Sequence, residues 1–197
     1  MEPTNLLLIR HGQTEWNSIR RCQGQTDTPL NERGIEQAQA AAEVARQAAP
    51  HIIVTSDLRR CAHTAEIIAE ALGVAVVPDK RLREWHQGVL QGLHYPEIEA
   101  EHAELQALLR REPLDHAPEG GESLAEMGKR VIMALDDIAQ RYSQQRVLVV
   151  THELPIAYIQ CLVKRRPFTD IWDVKVENGV IIPVEWPQPT LSYAMVS

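Results

Sequence analysis

Reactive side chains follow three apolar runs of the sequence. Arg10 and His11 directly follow the first run, which ends at Ile9. Arg60 comes shortly after a second run, and His152 directly follows a third. Two guanidinium groups can bind a phosphoryl group by charge and by paired hydrogen bonds. A neutral imidazole can attack phosphorus, and a second, protonated imidazole can offset charge on the oxygens. These residue types therefore indicate phosphoryl transfer, which also needs a carboxylic acid to protonate the departing alkoxide.

Other kinds of catalytic site have little support. The sequence has no Gly-Lys-Ser/Thr of a P-loop and no Gly-x-Ser-x-Gly elbow of a serine hydrolase. No cysteine is followed six positions later by arginine, as a cysteine-based phosphatase requires. His152 begins a partial match to the zinc motif His-Glu-x-x-His, but Ile156 stands at its last position and Pro155 disturbs the helix. A zinc site made by His11, His152 and a carboxylate stays open.

Composition favours a single globular domain. The chain has 197 residues, with 44% hydrophobic and 24% charged residues, which suits one α/β domain over residues 1–197. The net charge of −7 argues against a nucleic-acid partner. The apolar runs are too short to span a bilayer, and the first residues lack the basic region of a signal peptide. The three cysteines are widely spaced, so we expect no disulfide and a cytoplasmic protein; these are Cys22, Cys61 and Cys161.

Strands and helices alternate along the chain. This order predicts an α/β fold, a three-layer α/β/α sandwich with a mostly parallel central sheet. Asn178-Gly179 predicts a hairpin between 174–176 and 180–182, so the sheet would end in an antiparallel C-terminal strand or hairpin. Because reactive groups gather beyond the carboxyl ends of parallel strands, the three clusters should meet there. The predicted strands are 5–10, 52–55, 75–78 and 146–151, and the predicted helices are 31–49, 61–72, 123–142 and 155–163, with one more after Pro96.

An ordered series of motifs along almost the whole chain resembles the histidine phosphatase superfamily, also called the phosphoglycerate mutase-like family. The first and most specific motif covers Leu8–Asn17 and includes Arg10-His11-Gly12. Arg-His-Gly alone is weak support, whereas the ordered series is specific. The further matching segments are Gln23–Asn31, Ser56–Ala65, Leu82–Glu84, Gly120–Ser123 and Val150–His152.

The resemblance implies residue roles. His11 is implied as the nucleophile that becomes phosphohistidine, and Glu84 as the acid that protonates the leaving group and later activates water. The family needs no metal and no other cofactor is implied. The residues implied to bind the phosphoryl group or to hold the loop around it are Arg10, Asn17, Gln23, Arg60 and His152.

Some assignments have rivals within the sequence. Arg59 competes with Arg60, although the spacing to Thr64-Ala65 favours Arg60. Glu84 is followed by Trp85-His86-Gln87-Gly88, which departs from the usual family pattern, so three other carboxylates remain alternatives as the acid. These are Glu15, Asp57 and Glu153.

Glu153 also stands where family members commonly have glycine. A carboxylate beside an anion site should weaken binding of highly charged substrates, so Glu153 is a candidate specificity residue. The segment at about 86–122, expected to be a lid-like insertion, carries two basic residues against eight acidic ones. We expect this charge to disfavour a bisphosphate at the entrance.

The sequence thus predicts a metal-independent phosphomonoesterase of the phosphatase branch that hydrolyses a small phosphorylated metabolite through phosphohistidine. The alternatives are a cofactor-dependent phosphoglycerate mutase and a non-catalytic family member. The expected partner is a small-molecule phosphoester, with no nucleic acid and no membrane. The sequence leaves the oligomeric state open, a homodimer included.

Overall fold

The computed structural model describes residues 4–187, and its centre is one five-stranded sheet. The strand order is β3-β2-β4-β1-β5. The first four strands are mutually parallel, and β5 runs antiparallel beside β1. The prediction of an α/β fold with a mostly parallel sheet and an antiparallel C-terminal strand is therefore confirmed. The strands are β1 (Thr4–Arg10), β2 (Ile52–Thr55), β3 (Ala75–Pro78), β4 (Arg146–Thr151) and β5 (Ile181–Trp186).

Helices cover both faces of the sheet. Alternate side chains of β1 point to opposite faces: Leu6 and Leu8 join one core cluster, while Leu7 and Ile9 join the other. Helices α6 and α7 pack on the first face, and α2 and α3 on the second. The α-helices of the described chain are α1 (Glu15–Ser18), α2 (Glu32–Ala48), α3 (Arg59–Leu72), α4 (Tyr95–Glu101), α5 (Ala103–Arg111), α6 (Leu124–Arg141) and α7 (Glu153–Val163).

Local sequence signals fix the helix ends. The side chain of Asn31 accepts a hydrogen bond from the Gly34 amide and caps α2. Ser123 and Glu126 form a capping box at the start of α6. Gly73 ends α3 with a φ of 70°, a left-handed conformation that suits glycine.

One prediction about the elements is incomplete and another is wrong. The helix expected at Pro96 is present as α4, but a second short helix, α5, follows it after a break at His102. The hairpin at Asn178-Gly179 does not form, since β5 pairs with β1 and residues 174–176 are not a strand. The two turn residues instead bind the backbone at the end of β1. The Asn178 side chain donates to the His11 carbonyl at 2.6 Å, and the Gly179 amide donates to the Arg10 carbonyl at 3.0 Å.

The segment 86–122 packs onto the main core. It comprises the 3₁₀ helix Gly88–Leu90 followed by α4 and α5, and Ile98 and Leu109 are buried in the same apolar cluster as α6. Its role as a lid stays a prediction. The two other 3₁₀ helices of the described chain are Lys80–Leu82 and Phe168–Asp173.

Two further observations concern membrane-spanning helices and the cysteines. None of the helices within residues 4–187 combines the length and the apolar character needed to cross a bilayer. All three cysteines are buried as free thiols.

Close backbone contact fixes the loop after β1 against α2. A Cβ atom at Gly34 would lie 2.1 Å from the Gln13 carbonyl oxygen, and one at Gly12 would lie 2.2 Å from the Gly34 carbonyl oxygen. No side-chain rotation can relieve either clash, because the obstructing atoms belong to the backbone. Glycine at both positions therefore allows α2 to begin beside His11.

We expect Gly34→Ala to lower the free energy of unfolding by about 1–3 kcal/mol, which is the usual cost of overpacking. The loss should appear although alanine is the better helix former by about 1 kcal/mol. Urea denaturation measures it. Gln39→Ala, at an exposed position of the same helix, is the control and should change stability by less than about 0.5 kcal/mol. Equal stability of the two variants would contradict the close-contact argument.

Candidate active site

Four of the predicted site residues meet beyond the carboxyl ends of β1 and β4. Arg10 ends β1 and His11 follows it, while His152 follows β4. Arg60 enters from the first turn of α3. The rings of His11 and His152 lie edge to face with centroids 5.2 Å apart, and Arg60 Nε donates to His11 Nε2 at 3.2 Å. The structure thus brings together the residues that the sequence predicted to converge.

The hydrogen bonds of His11 define its tautomer. Nδ1 lies 2.7 Å from the Gly12 carbonyl oxygen, which can only accept, so Nδ1 carries the proton. Nε2 then carries the electron pair of the ring, which accepts the hydrogen bond from Arg60 Nε. Burial, together with the positive charges of Arg60 and Arg10, lowers the pKa of His11 well below its ordinary value. His11 is therefore a neutral imidazole with a nucleophilic Nε2.

Arg60 is buried and held by backbone carbonyls. Its two terminal nitrogens donate to the carbonyl oxygens of Thr26 and Gly24, both at 2.7 Å. Burial lowers its pKa, but an arginine remains charged throughout the range in which proteins are stable. Its rival Arg59 is exposed, and its backbone amide donates to Asp27. Arg60 therefore brings a fixed positive charge to His11.

His152 is completely buried beside the same cation. Its Nε2 lies 2.9 Å from Ser56 Oγ and 3.3 Å from Cys61 Sγ. Burial first, then the charge of Arg60, lowers the pKa of His152 well below its ordinary value. A dianion bound between the two histidines would favour the protonated form of His152 and so raise this pKa.

Within the described residues, the Arg10 side chain forms hydrogen bonds through its terminal nitrogens only. Its terminal nitrogens donate to the Val176 carbonyl at 2.7 Å and to the Glu153 carboxylate at 2.8 Å. Within the described chain its Nε is buried and has no hydrogen-bond partner. Glu153 therefore neutralises Arg10, and an incoming anion must compete with this carboxylate for the guanidinium group.

Glu84 has the properties of a general acid. The residue is 8% exposed, and its carboxyl group accepts a hydrogen bond from the Trp85 amide at 2.8 Å. Burial, reinforced by the negative charge of Glu153, raises the pKa of Glu84 to about 7. A carboxyl group with this pKa carries a proton near neutrality and can donate it to a leaving group.

The alternative carboxylates are less suitable. Asp57 accepts two hydrogen bonds from Arg83, at 2.6 and 2.7 Å, and this pairing lowers its pKa. Glu15 is exposed at the start of α1. Glu153 is engaged by Arg10. Of the four candidates, Glu84 alone combines burial with a raised pKa.

Gln23 and Asn17 are oriented by Thr14. The Gln23 side-chain oxygen accepts from the hydroxyls of Thr14 and Thr28, at 2.8 and 2.6 Å. The Asn17 side-chain oxygen accepts from the Thr14 amide at 3.0 Å. Since both oxygens are engaged, the NH₂ groups are the ends available to an anion. Gln23 is buried, whereas Asn17 is partly exposed and also caps α1.

A pocket of about 340 Å³ opens beside Glu84 and Glu153. Its walls combine aromatic and aliphatic side chains with two arginines, two glutamines and a further carboxylate, Glu99. Seven of the eight acidic residues of 86–122 are absent from the lining, so their effect on approaching substrates stays a prediction. Glu112 and Glu122, for example, form ion pairs with other residues. The main lining residues are Arg20, Trp85, Tyr95, Gln106, Leu109, Arg110 and Trp172.

Several residues that build the site had no predicted role. Ser56 and Thr64 lie in a recognised motif, and the Thr64 hydroxyl accepts from the Gly12 amide at 3.0 Å. Asn178 was interpreted as a turn residue only. Arg130 lies on the amphipathic helix α6 and carries no local signal. It nevertheless donates to the Glu84 carbonyl at 2.8 Å.

The alternative of a zinc site at His11 and His152 lacks a third ligand among the described residues. Between residues 4 and 187, no cluster of three or more histidine, cysteine or acidic side chains has an arrangement that could hold a metal ion.

Comparisons with known proteins agree with this geometry. The sequence model of the histidine phosphatase superfamily (branch 1) matches residues 6–194. A Klebsiella pneumoniae protein named probable phosphoglycerate mutase is 41% identical over 185 residues, which cover 92% of this chain and 84% of the relative.

Solved structures of phosphatases share the fold. A mycobacterial glucosyl-3-phosphoglycerate phosphatase in complex with VO₃ has a TM-score of 0.82 at 36% identity, with 91% of this chain and 92% of that chain covered. The α-ribazole phosphatase of Shigella flexneri has a TM-score of 0.82 at 25% identity, with 94% and 92% covered. With its family motifs gathered at one end of the sheet, the chain belongs to branch 1 of the histidine phosphatase superfamily.

Proposed function

We propose that the protein is a metal-independent phosphomonoesterase that acts through a phosphohistidine on His11. The observation that carries this proposal is the tautomer of His11, whose Nδ1–H donates to Gly12 and leaves Nε2 unprotonated. In the absence of substrate the Nε2 electron pair accepts from Arg60 Nε, and it becomes available for attack once the phosphoryl oxygens take over that donor. A nucleophile in this state needs no metal and no separate base to activate it.

Hydrolysis proceeds in two steps. In the first, His11 Nε2 attacks phosphorus, the bond from phosphorus to the alcohol oxygen breaks, and the Glu84 proton passes to the departing alkoxide. In the second, the Glu84 carboxylate takes a proton from water, the resulting hydroxide attacks phosphorus, and the N–P bond breaks to release phosphate. Arg10, Arg60 and protonated His152 stabilise the negative charge on the phosphoryl oxygens in both steps.

The alcohol part of the substrate occupies the pocket beside Glu84. Its volume of about 340 Å³ lies at the small end of the usual range for ligand pockets, which suits a small metabolite. Trp85, Tyr95 and Trp172 offer apolar contacts, whereas Glu153 presents negative charge at the boundary with the phosphate site. These features support a phosphoester whose remainder is neutral or cationic.

A phosphoglycerate mutase is the second candidate, because curated relatives such as the Klebsiella protein carry that name. A mutase returns the phosphoryl group to a phosphoglycerate, so it must hold a substrate with an additional carboxylate. The ion pair between Arg10 and Glu153 works against this, since it neutralises one phosphate-binding cation and adds a competing anion. The solved phosphatase structures among the neighbours also support hydrolysis.

His11→Ala should abolish both turnover and phosphoenzyme formation. Acid-quenched reactions with a ³²P-labelled monoester should give an acid-labile phosphoramidate on the parent protein and none on the variant. Prolonged treatment with a chelator should leave the parent rate unchanged. Near-parental activity of His11→Ala, or activity that is lost with chelator and restored by one divalent ion, would refute the proposed chemistry.

Glu84 should make the hydrolysis of phosphoesters with poor leaving groups slower at alkaline pH. Its pKa of about 7 means that it is protonated below this pH and becomes an anion, unable to donate, above it. The kcat/KM for an alkyl phosphate should therefore fall as pH rises through about 7. Glu84→Gln should lower kcat/KM and remove this dependence on pH. An aryl phosphate needs little protonation and serves as the control. Equal losses on both esters would assign the acid to another residue.

Glu153→Gln should make the protein a better catalyst for an anionic substrate relative to a neutral one. The ratio of kcat/KM for 3-phosphoglycerate to that for a neutral monoester should rise about tenfold, equivalent to about 1.4 kcal/mol. In the parent, added salt should narrow the gap between the two substrates. Glu104→Gln makes the same charge change outside the pocket lining and should leave the ratio unchanged.

The same assays distinguish phosphatase from mutase. We expect the parent protein to release phosphate from 3-phosphoglycerate more slowly than from neutral monoesters, with little formation of 2-phosphoglycerate. Efficient conversion of 3- to 2-phosphoglycerate would make the protein a mutase. An unchanged ratio in Glu153→Gln would remove Glu153 from the specificity argument.

A further inference from the structure

The segment that carries Glu84 depends on side chains from elsewhere for its hydrogen bonds. Between β3 and residue 86 it forms only the 3₁₀ helix Lys80–Leu82. Arg130 on α6 supplies partners to three of its carbonyls. One terminal nitrogen of Arg130 donates to the carbonyls of Arg81 and Arg83, at 2.8 and 2.6 Å, and the other donates to that of Glu84 at 2.8 Å.

Glu122 holds the other side of the same segment. Its carboxylate forms two hydrogen bonds with Arg130 and accepts from the His86 amide at 2.9 Å. Its backbone amide donates to the His86 carbonyl at 3.0 Å, and its carbonyl accepts from the Trp85 indole nitrogen. The two charged side chains thus bind the chain immediately before and after the Glu84 carboxyl group.

We propose that the Arg130–Glu122 ion pair is a positioning clasp that holds the carboxyl group of Glu84 in line with the leaving oxygen. The proposal rests on the proposed function, in which Glu84 is the acid. The Glu84 carboxyl accepts from the Trp85 amide, so a shift of this backbone moves the acid directly. A misplacement of about 1 Å at a reacting group can cost about a hundredfold in rate.

The ion pair also suits the electrostatics of the acid. A lone guanidinium on the Glu84 carbonyl would stabilise the carboxylate and make Glu84 a stronger acid. Glu122 neutralises that charge at hydrogen-bond distance, and both side chains are about four-fifths buried, with 21% and 18% exposure. The clasp therefore fixes the backbone without adding a net charge beside the acid.

Arg130→Lys is the decisive variant. Lysine keeps the positive charge, which also acts on His152, but it cannot donate to three carbonyls and a carboxylate in one plane. We expect kcat/KM for an alkyl phosphate to fall at least about tenfold while that for an aryl phosphate changes less than about threefold, since only the alkyl ester needs the acid. Arg141→Lys, the same substitution at the end of α6, is the control and should match the parent on both esters.

A double-mutant cycle shows whether Arg130 acts through Glu84. In the Glu84→Gln background, Arg130→Lys should cause little further loss on the alkyl ester, because the acid that it positions is gone. Equal losses on alkyl and aryl esters, or losses that add fully to those of Glu84→Gln, would show a general structural role and overturn the clasp.

Amide hydrogen exchange gives a readout that does not require turnover. The amides of Trp85 and His86 should exchange faster in Arg130→Lys than in the parent or in Arg141→Lys, since they are hydrogen-bonded within the clasped segment. Unchanged exchange would overturn the proposal. A parent that hydrolyses neither ester and forms no phosphohistidine would refute the proposed function, and with it the assignment of the clasp to an acid.

Discussion

The buried charge of Arg60 is the constraint on which the rest of the site depends. A guanidinium group removed from water is unfavourable unless its donors are satisfied. The carbonyls of Gly24 and Thr26 satisfy two of its nitrogens and leave Nε directed at His11. Burial first, and then this charge, lowers the pKa of both His11 and His152. A buried, positive site lined by neutral imidazoles is preorganised for the phosphoryl dianion of the proposed reaction.

This positive site also contains an acid that stays protonated near neutrality, and the balance depends on position. Arg60 and Arg10 act to lower the pKa of Glu84, but burial is the larger effect and raises it to about 7. Glu153 contributes to the rise and also pairs with Arg10. One carboxylate at the start of α7 therefore acts both on Arg10 and on the pKa of Glu84. If the proposed function holds, substrate specificity and pH dependence should change together in this protein.

The loops that carry the reactive groups are fixed by contacts between distant parts of the chain. Gly12 and Gly34 allow backbone contact between the loop after β1 and α2, and Asn178 holds the His11 carbonyl from the far end of the chain. Arg130 gives partners to backbone carbonyls that no strand or helix satisfies. Since unpaired buried carbonyls are costly, such side chains determine loop geometry as directly as secondary structure does elsewhere.

The sequence by itself determined the features that depend on local pattern. Apolar runs and helical periodicity are short-range signals, so the first four strands and the long helices could be predicted. The motifs at strand ends also indicated which histidines and arginines converge. Contacts over long sequence separations were decided only by the tertiary structure. Asn178 binds the chain beside His11 instead of closing a hairpin, Glu153 pairs with Arg10, and Arg130 holds the segment of Glu84. The charge state of each candidate catalytic group was also decided only by the tertiary structure. Burial and neighbouring charges set its pKa, and neither can be read from the order of residues.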